Sequence, residues 1–121
     1  MRSTRQRGSH WERTAESFLN QRGLKTLERN YNLRFGEIDL VMLDRKTVVF
    51  TEVRYRASAS HGSGADSVNR RKQQRIIKAA RAWLKHHRHH AHRPCRFDVV
   101  SIGRDQGRPV LDWIRSAFDA S

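Results

Sequence analysis

Residues 36–53 read GEIDLVMLDRKTVVFTEV and form the most apolar part of this 121-residue chain. Two strand-like runs, 37–43 and 47–53, flank the polar turn at 44–46, which is the arrangement of a β-hairpin. Both runs are apolar almost without interruption, and such strands are typical of a sheet that is covered on both faces. The sequence therefore predicts a hairpin inside a covered sheet.

Helical and strand patterns alternate on either side of this hairpin. A first helix is predicted from Ser9 to Gly23, because Ser9 and Glu12 have the spacing of a capping box and apolar residues follow at helical intervals. A second helix is predicted from Asp66 or Ser67 to about residue 86. The other predicted elements are strands at 25–33, 96–102 and 109–113, a helical turn at 114–118 and a flexible loop at 57–65.

The length and this order of elements favour one α/β domain. We assign residues 9–121 to that domain and residues 1–8, which hold three arginines and no large apolar side chain, to a flexible basic arm. The arm lacks the apolar region of a secretory signal, and no run approaches the roughly 20 apolar residues of a membrane span. We therefore expect a cytoplasmic protein without membrane attachment.

The chain is strongly basic, with 25 Lys+Arg against 12 Asp+Glu and a formal charge of +13. Such a charge indicates a polyanionic partner, either nucleic acid or an anionic membrane surface, and a role in solubility is the alternative. Between Ser67 and Phe97 there are ten Lys or Arg and no acid. On a helical wheel the second helix has an apolar arc and an opposite cationic face, which consists of Arg70, Arg71, Arg75, Lys78, Arg81 and Lys85. This cationic face suits a phosphate backbone.

Two acids occupy positions that are costly for a charge. Asp39 directly precedes the apolar run 40–43, where a carboxylate needs a partner or a cation. If the hairpin pairs across its turn, Asp39 and Glu52 lie at the same end of adjacent strands. Glu37 and Asp39 are two residues apart and are expected on one face of their strand. Two carboxylates with a nearby backbone carbonyl suit Mg²⁺, so the sequence outlines a site for phosphodiester hydrolysis.

Several short motifs occur in order along the chain: Gly36–Leu40, Phe50–Arg54, Lys72-Gln73, Arg96–Val100 and Ala117-Phe118. Together they resemble the small bacterial YraN-type family UPF0102, which is similar in fold to Holliday-junction resolvases and PD-(D/E)XK nucleases. The resemblance implies a single-domain PD-(D/E)XK fold, restriction-endonuclease-like, with a central mixed sheet flanked by helices. It also implies action on DNA, including branched or repair intermediates, and raises the prospect of a homodimer.

The same resemblance implies roles for individual residues. Asp39 and Glu52 would bind the metal, Mg²⁺ or alternatively Mn²⁺, together with the Val53 carbonyl. The superfamily has lysine two positions after the second acid, where this chain has Arg54, which stays charged and is a poor general base. Lys72, which lies within the apolar arc of the second helix, could supply the missing ammonium group. The candidate catalytic residues are therefore Asp39, Glu52, Arg54, Lys72, Glu37 and Glu12.

Structural interpretations of these residues stay open at this point. Glu12 could serve only as the capping-box acid of the first helix. Glu37 and Arg54 could form a cross-strand ion pair, and Lys72 could extend from the helix edge into water.

Three functions follow from the sequence. The first is a Mg²⁺-dependent endonuclease acting on DNA. The second is a nuclease-fold protein that lost activity with the lysine and serves as a nucleic-acid-binding module. The third is a metal carrier that uses His86, His87, His89, His90 and His92. Neighbouring cations disfavour the third, and added charge on nucleic acid at low pH is the alternative use of these histidines.

Overall fold

The structure, a computed structural model, describes residues 4–56 and 68–120, with side chains from His10 onward. The elements, in chain order, are α1 (Thr4–Gln21), β1 (Lys25–Leu33), β2 (Gly36–Asp44), β3 (Thr47–Tyr55), α2 (Arg70–His86), β4 (Cys95–Asp105) and β5 (Arg108–Phe118). A short 3-10 helix, Arg88–His90, follows α2. The predicted loop at 57–65 lies outside the described residues.

The five strands form one mixed sheet in the order β1-β2-β3-β4-β5. Neighbours are antiparallel except β3 and β4, which are parallel and are separated along the chain by α2. Each face of the sheet has its own core cluster. Phe50 packs in the cluster that contains α2, and Val49 packs in the cluster that contains α1. The prediction of an α/β domain with a sheet covered on both faces is therefore confirmed.

The central hairpin forms as predicted. Asp44 pairs with Thr47 across a two-residue turn, and the register continues to the pair Leu40 and Thr51. Arg45 in the turn has a φ of 59°, a left-handed conformation that is common in tight hairpin turns. The apolar side chains of both strands are buried except Leu43 and Val53, which are partly buried, so their near-continuous hydrophobicity is explained by the two covering helices.

The starts of both helices differ from the prediction. Helix α1 begins at Thr4, so Ser9 lies inside it and cannot be its cap, and the predicted arm is helical from Thr4 onward. The capping-box interpretation of Glu12 is therefore wrong. Helix α2 is capped by Asn69, whose Oδ1 accepts a hydrogen bond from the Lys72 backbone N–H at 2.9 Å, rather than by residue 66 or 67.

The predicted helical turn at 114–118 is also wrong, because these residues continue strand β5. The cause is Asp98, which is fully buried on β4. Its carboxylate accepts hydrogen bonds from Trp113 Nε1 at 2.9 Å and from the Ser116 backbone N–H at 3.0 Å. Asp98 thereby holds β5 against β4 at a point where the register shifts.

Helix α2 crosses the sheet at Gly36, the first residue of β2. A Cβ atom at this position would overlap the backbone carbonyl oxygen of Arg75, and it would lie 3.4 Å from the Ala79 Cβ. The absence of a side chain therefore sets how closely α2 packs on the sheet. Within the described parts of the chain, no helix is long and apolar enough to cross a membrane.

Candidate active site

The two acids singled out in the hairpin come together in the structure. Asp39 and Glu52 lie one residue beyond the pair Leu40 and Thr51, which is the last pair of β2 and β3 on the side away from the turn. The Glu52 carboxylate lies close enough to Asp39 to raise the pKa of the Asp39 carboxyl group. The Val53 backbone N–H donates to Asp39 Oδ2 at 2.8 Å, and the Glu52 residue is only 3% exposed. The predicted convergence of Asp39 and Glu52 is therefore observed.

Asp39 lies at an irregular point of β2. Ile38 packs in the cluster that contains α2, whereas Leu40 packs in the cluster that contains α1. In a regular strand these two residues would share a face. On the neighbouring strand, Asn30 lies opposite this point with a φ of 52°. The side chains do not alternate regularly across Asp39. The two-residue spacing therefore does not place Glu37 and Asp39 on the same face of β2.

Negative charge accumulates at this point of an otherwise basic protein. Burial and the neighbouring Glu52 carboxylate raise the pKa of Asp39 well above its ordinary value of 3.8. Burial, followed by the charges of Glu52 and Glu37, raises the pKa of Glu12. Both acids therefore resist ionisation unless a cation is near them, and this is the electrostatic environment of a cation site.

Two cations among the described residues lie within ion-pair distance of Glu52. Lys72 Nζ lies 2.7 Å from Glu52 Oε2, and Arg54 Nη1 lies 3.9 Å from the same oxygen. Among the described residues, this buried oxygen accepts no hydrogen bond of good geometry. Lys72 and Glu52 therefore form a close ion pair without a well-aligned hydrogen bond. The helical-wheel position of Lys72 predicted that it turns inward, and the structure places it at the acids.

Glu12 reaches the same region from α1. When the Asn30 amide nitrogen is turned toward it, Asn30 donates to Glu12 Oε1 at 2.9 Å and to Oε2 at 2.7 Å. Glu37 is exposed, and its charge acts on Glu12 from the periphery. Asn30 was not predicted from the sequence as a residue of this site. Its left-handed backbone conformation, which asparagine tolerates better than most residues, gives no clear pattern in the sequence.

A cavity of about 170 Å³ opens above these acids and is lined by Trp11, Glu12, Asp39, Val53 and Tyr55. The rings of Trp11 and Tyr55 stack in this lining. From the sequence, Trp11 was predicted only as an apolar position of the first helix, and Tyr55 was not predicted as a site residue. The position of Tyr55, directly after Arg54 at the end of the strand that carries Glu52, was the signal that could have found it.

A second cavity, of about 750 Å³, lies at the opposite end of the sheet around the β2–β3 turn. It is lined mainly by cations, namely Arg22, Arg45, Lys46, Arg96 and Arg115. Its acidic residue, Asp44, is engaged by Arg96 Nη2 at 3.0 Å. The larger cavity therefore extends the basic surface, whereas the smaller one is lined by the acids Glu12 and Asp39.

The donor atoms at the smaller cavity fit a hard divalent cation. Asp39 and Glu52 supply carboxylate oxygens, one of which is buried without an aligned hydrogen bond. Mg²⁺ usually takes one or two protein carboxylates and completes its shell with water and substrate phosphate. Within residues 4–56 and 68–120, no three His, Cys, Asp or Glu side chains are grouped so that they could hold a metal ion. The contribution of the Val53 carbonyl stays a prediction.

The predicted amphipathic character of α2 is confirmed. The side chains of the cationic face are all exposed, and the opposite side of the helix buries Ile76, Ile77, Ala79, Ala80 and Trp83. The cationic face is therefore available to a partner, and its role in nucleic-acid binding stays a prediction.

The histidines after this helix make other contacts. His87 Nδ1 lies 2.7 Å from the Trp83 carbonyl oxygen, and His86 Nδ1 lies 3.0 Å from that of Ala82. His90 is buried and accepts a hydrogen bond from Arg93 Nε at 3.0 Å. Three of the five histidines thus have protein contacts at a ring nitrogen, which gives the metal-carrier hypothesis no support.

Comparison with known proteins gives a single family. The sequence model of the Uncharacterised protein family UPF0102 matches residues 11–102. A UPF0102 protein of Stutzerimonas stutzeri is 48% identical over 99% of this chain and 100% of its own length. Another from Alcanivorax borkumensis is 46% identical over 98% of this chain and 95% of its own length, and one from Aeromonas hydrophila is 49% identical over 93% and 84%.

Proposed function

The chain belongs to the UPF0102 family, and on that premise we propose that it is a Mg²⁺-dependent endonuclease that hydrolyses phosphodiester bonds in DNA. The proposal extends to the PD-(D/E)XK fold implied by the sequence resemblance. The mixed sheet with a core cluster and a helix on each face is compatible with that fold.

One observation carries the proposal. Asp39 and Glu52 are two of only 12 acids in a chain of charge +13; Asp39 lines a cavity, and the Glu52 carboxylate beside it raises the pKa of Asp39. Two like charges this close together destabilise the folded state unless a proton or a cation lies between them. A divalent cation relieves the repulsion at neutral pH, and the nearby cationic face offers a place for the DNA backbone.

The side chains would divide the chemistry between them. Asp39 and Glu52 hold the metal, which when bound lowers the pKa of a coordinated water and neutralises charge on the phosphate. Lys72 keeps a positive charge beside Glu52, where it can stabilise the negative charge that develops on the phosphate. Arg54, which cannot act as a base, contributes a second positive charge. The Val53 N–H orients Asp39.

The alternative is a nuclease-fold module that binds nucleic acid without cutting it. The observation that favours it is the identity of Arg54, which replaces the lysine of the nuclease pattern and lies 3.9 Å from Glu52. This alternative predicts DNA binding that weakens steeply with salt and does not change with Mg²⁺ or with Glu52→Ala.

The experiment is a cleavage assay with the purified full chain on junction, flap, gapped and duplex DNA, in Mg²⁺, in Mn²⁺ and in EDTA. We expect cleavage only with a divalent metal, and a loss of at least about 100-fold in rate for Asp39→Asn and Glu52→Gln. Asp112→Asn is the matched control, because it removes an exposed carboxylate on β5 and should cleave like the wild type.

Equal cleavage by Asp39→Asn would show that a contaminating nuclease is responsible and would contradict the proposal. Absence of cleavage on every substrate, with DNA binding retained, would support the binding module. The homodimer implied by the resemblance is tested separately by light scattering of the same preparation.

A further inference from the structure

Two stacked aromatic residues, Trp11 and Tyr55, stand beside the acids Glu12 and Asp39 and are called the aromatic column. Trp11 of α1 and Tyr55 at the end of β3 stack with 4.4 Å between ring centroids and an interplanar angle of 10°. On the Trp11 ring, the Arg104 guanidinium lies 5.2 Å from the centroid and His10 contacts the ring edge-on. Tyr55 is 42% exposed. Trp11 therefore supports the column from within, and Tyr55 presents it to solvent.

This column is part of the same cavity as the acids. Trp11 and Tyr55 line the cavity of about 170 Å³ together with Asp39 and Glu12. A planar group stacked on Tyr55 would therefore place whatever is attached to it near Asp39. Trp11, Tyr55 and Arg104 come from α1, β3 and β4, so the ring position is fixed by regular elements rather than by a loop.

Packing alone does not explain an exposed tyrosine at this point. A ring pair that serves the core is buried, as Phe50 and Trp83 are on the α2 side of the sheet. Tyr55 instead is 42% exposed, at the mouth of a cavity in a chain of charge +13. Exposed aromatic rings among positive charges are the combination that binds single-stranded nucleic acid.

We propose that Tyr55, backed by Trp11, stacks on an unpaired nucleobase next to the phosphodiester that is cut. The substrate is then DNA with a single-stranded nucleotide at the cleavage point, such as a flap, a gap or a strand end, rather than intact duplex. A base inside a duplex is already stacked on its neighbours and would first have to be unstacked. Because every base has a π face, the preference is for strand structure and not for sequence.

The inference rests on the proposed function, since it names the substrate of the same site, but its test needs no cleavage. The full chain in EDTA is titrated with a flap DNA that carries 2-aminopurine at the unpaired position, and with a fully paired duplex of equal length. We expect quenching of 2-aminopurine in the flap and about tenfold tighter binding of the flap than of the duplex.

Variants at Tyr55 isolate the stacking contact. Tyr55→Phe keeps the ring and should bind the flap like the wild type. Tyr55→Leu keeps apolar packing against Trp11 but removes the ring, and should lose the quenching and about tenfold in flap affinity without a change for duplex. Phe35→Ala is the matched control, because it removes a ring that is 47% exposed but does not line the cavity. Thermal unfolding of each variant checks that the fold is kept.

Three results would overturn the inference: no quenching with the wild type, equal flap affinity for Tyr55→Leu, or an equal loss for Phe35→Ala. If the chain cleaves duplex and flap equally in Mg²⁺ and Tyr55→Leu has no effect, the stacking proposal is contradicted and the endonuclease proposal is supported. If the flap is bound with quenching but never cut, the endonuclease proposal is contradicted and the stacking proposal is supported.

Discussion

The ammonium group of Lys72 lies 2.7 Å from Glu52 Oε2, although the two residues are 20 positions apart and belong to α2 and β3. The arginine on the same strand as Glu52 is farther away, with Arg54 Nη1 at 3.9 Å. Of these two positive charges, the one closer to Glu52 is therefore supplied by the helix and not by the strand. If the site is catalytic, Lys72 rather than Arg54 is the residue whose replacement should matter most.

Replacing Lys72 tests this assignment directly. Lys72→Met keeps most of the side-chain volume but removes the charge, and we expect the cleavage rate to fall by about 100-fold because charge on the phosphate is no longer stabilised. Lys72→Arg should recover part of the rate. Lys25→Met removes an exposed lysine from β1, away from the acids, and should leave the rate unchanged. Undiminished cleavage by Lys72→Met in single-turnover assays would remove this residue from the mechanism.

The electrostatic effect of Glu52 on Asp39 predicts an unusual response of stability to metal. Asp39→Asn removes one of the two like charges and keeps an oxygen that can accept from the Val53 N–H. Without metal we expect the variant to be more stable than the wild type at pH 7, by on the order of 1 kcal/mol. With saturating Mg²⁺ the order should reverse, because a metal at 100 times its Kd stabilises only the wild type, by about 2.7 kcal/mol.

Differential scanning calorimetry in EDTA and in Mg²⁺, at matched ionic strength, measures both effects. A wild-type melting temperature that does not respond to Mg²⁺ or Mn²⁺ would be evidence against a metal site between the two acids.

The hydrogen bonds of Glu16 predict how the stability of the fold depends on pH. The Glu16 carboxylate accepts from Arg29 Nε at 2.9 Å and from Thr26 Oγ1 at 2.6 Å, and Arg29 Nη2 lies 2.7 Å away. The hydrogen bond from Arg29 is the main cause of a lowered pKa for Glu16. A lowered folded-state pKa means that ionised Glu16 stabilises the fold above its ordinary pKa of 4.5, and that this contribution disappears as the pH falls from there through the folded-state value.

We expect Glu16→Gln to lower the free energy of unfolding by about 1 kcal/mol at pH 7, a modest figure because Arg29 is 61% exposed. The difference from the wild type should shrink below about pH 4.5. Urea unfolding of both proteins between pH 3 and pH 7 measures it. A difference that stays constant over this range would show that Glu16 acts through packing rather than through its charge.

The parts of the fold that followed from sequence depend on local patterns. The hairpin was predictable because two apolar runs flank a polar turn, and α2 was predictable because its apolar and basic residues separate on a helical wheel. Lys72 stood out for the same reason, as a lysine inside the apolar arc. Asp39 and Glu52 stood out because charges are rare in strands that are otherwise apolar.

The parts that were mispredicted depend on tertiary contacts. Residues 114–118 have no strand pattern of their own, and they remain part of β5 because Asp98 holds them to β4, with Ser116 at a φ of 49°. The start of α1 was misplaced because the spacing of Ser9 and Glu12 also occurs inside a helix. The Trp11–Tyr55 stack joins residues 44 positions apart, and only the folded sheet brings them together.

The close approach of α2 to the sheet at Gly36 links the fold to the candidate site. Gly36→Ala would place a Cβ against the carbonyl oxygen of Arg75, so α2 must move away from β2. We expect a loss of about 1–3 kcal/mol in the free energy of unfolding, typical of an overpacked contact. Because α2 also carries Lys72, a displaced helix should draw that ammonium group away from Glu52 and lower the cleavage rate as well.

Gly23→Ala is the comparison variant, since Gly23 has a φ of 93° and open space around it, so that alanine there strains the backbone without pushing α2. Both variants should lose stability in urea unfolding, but only Gly36→Ala should also lose cleavage measured well below its melting temperature. Equal cleavage by the two variants would mean that the position of α2, and with it the contact between Lys72 and Glu52, does not control the chemistry.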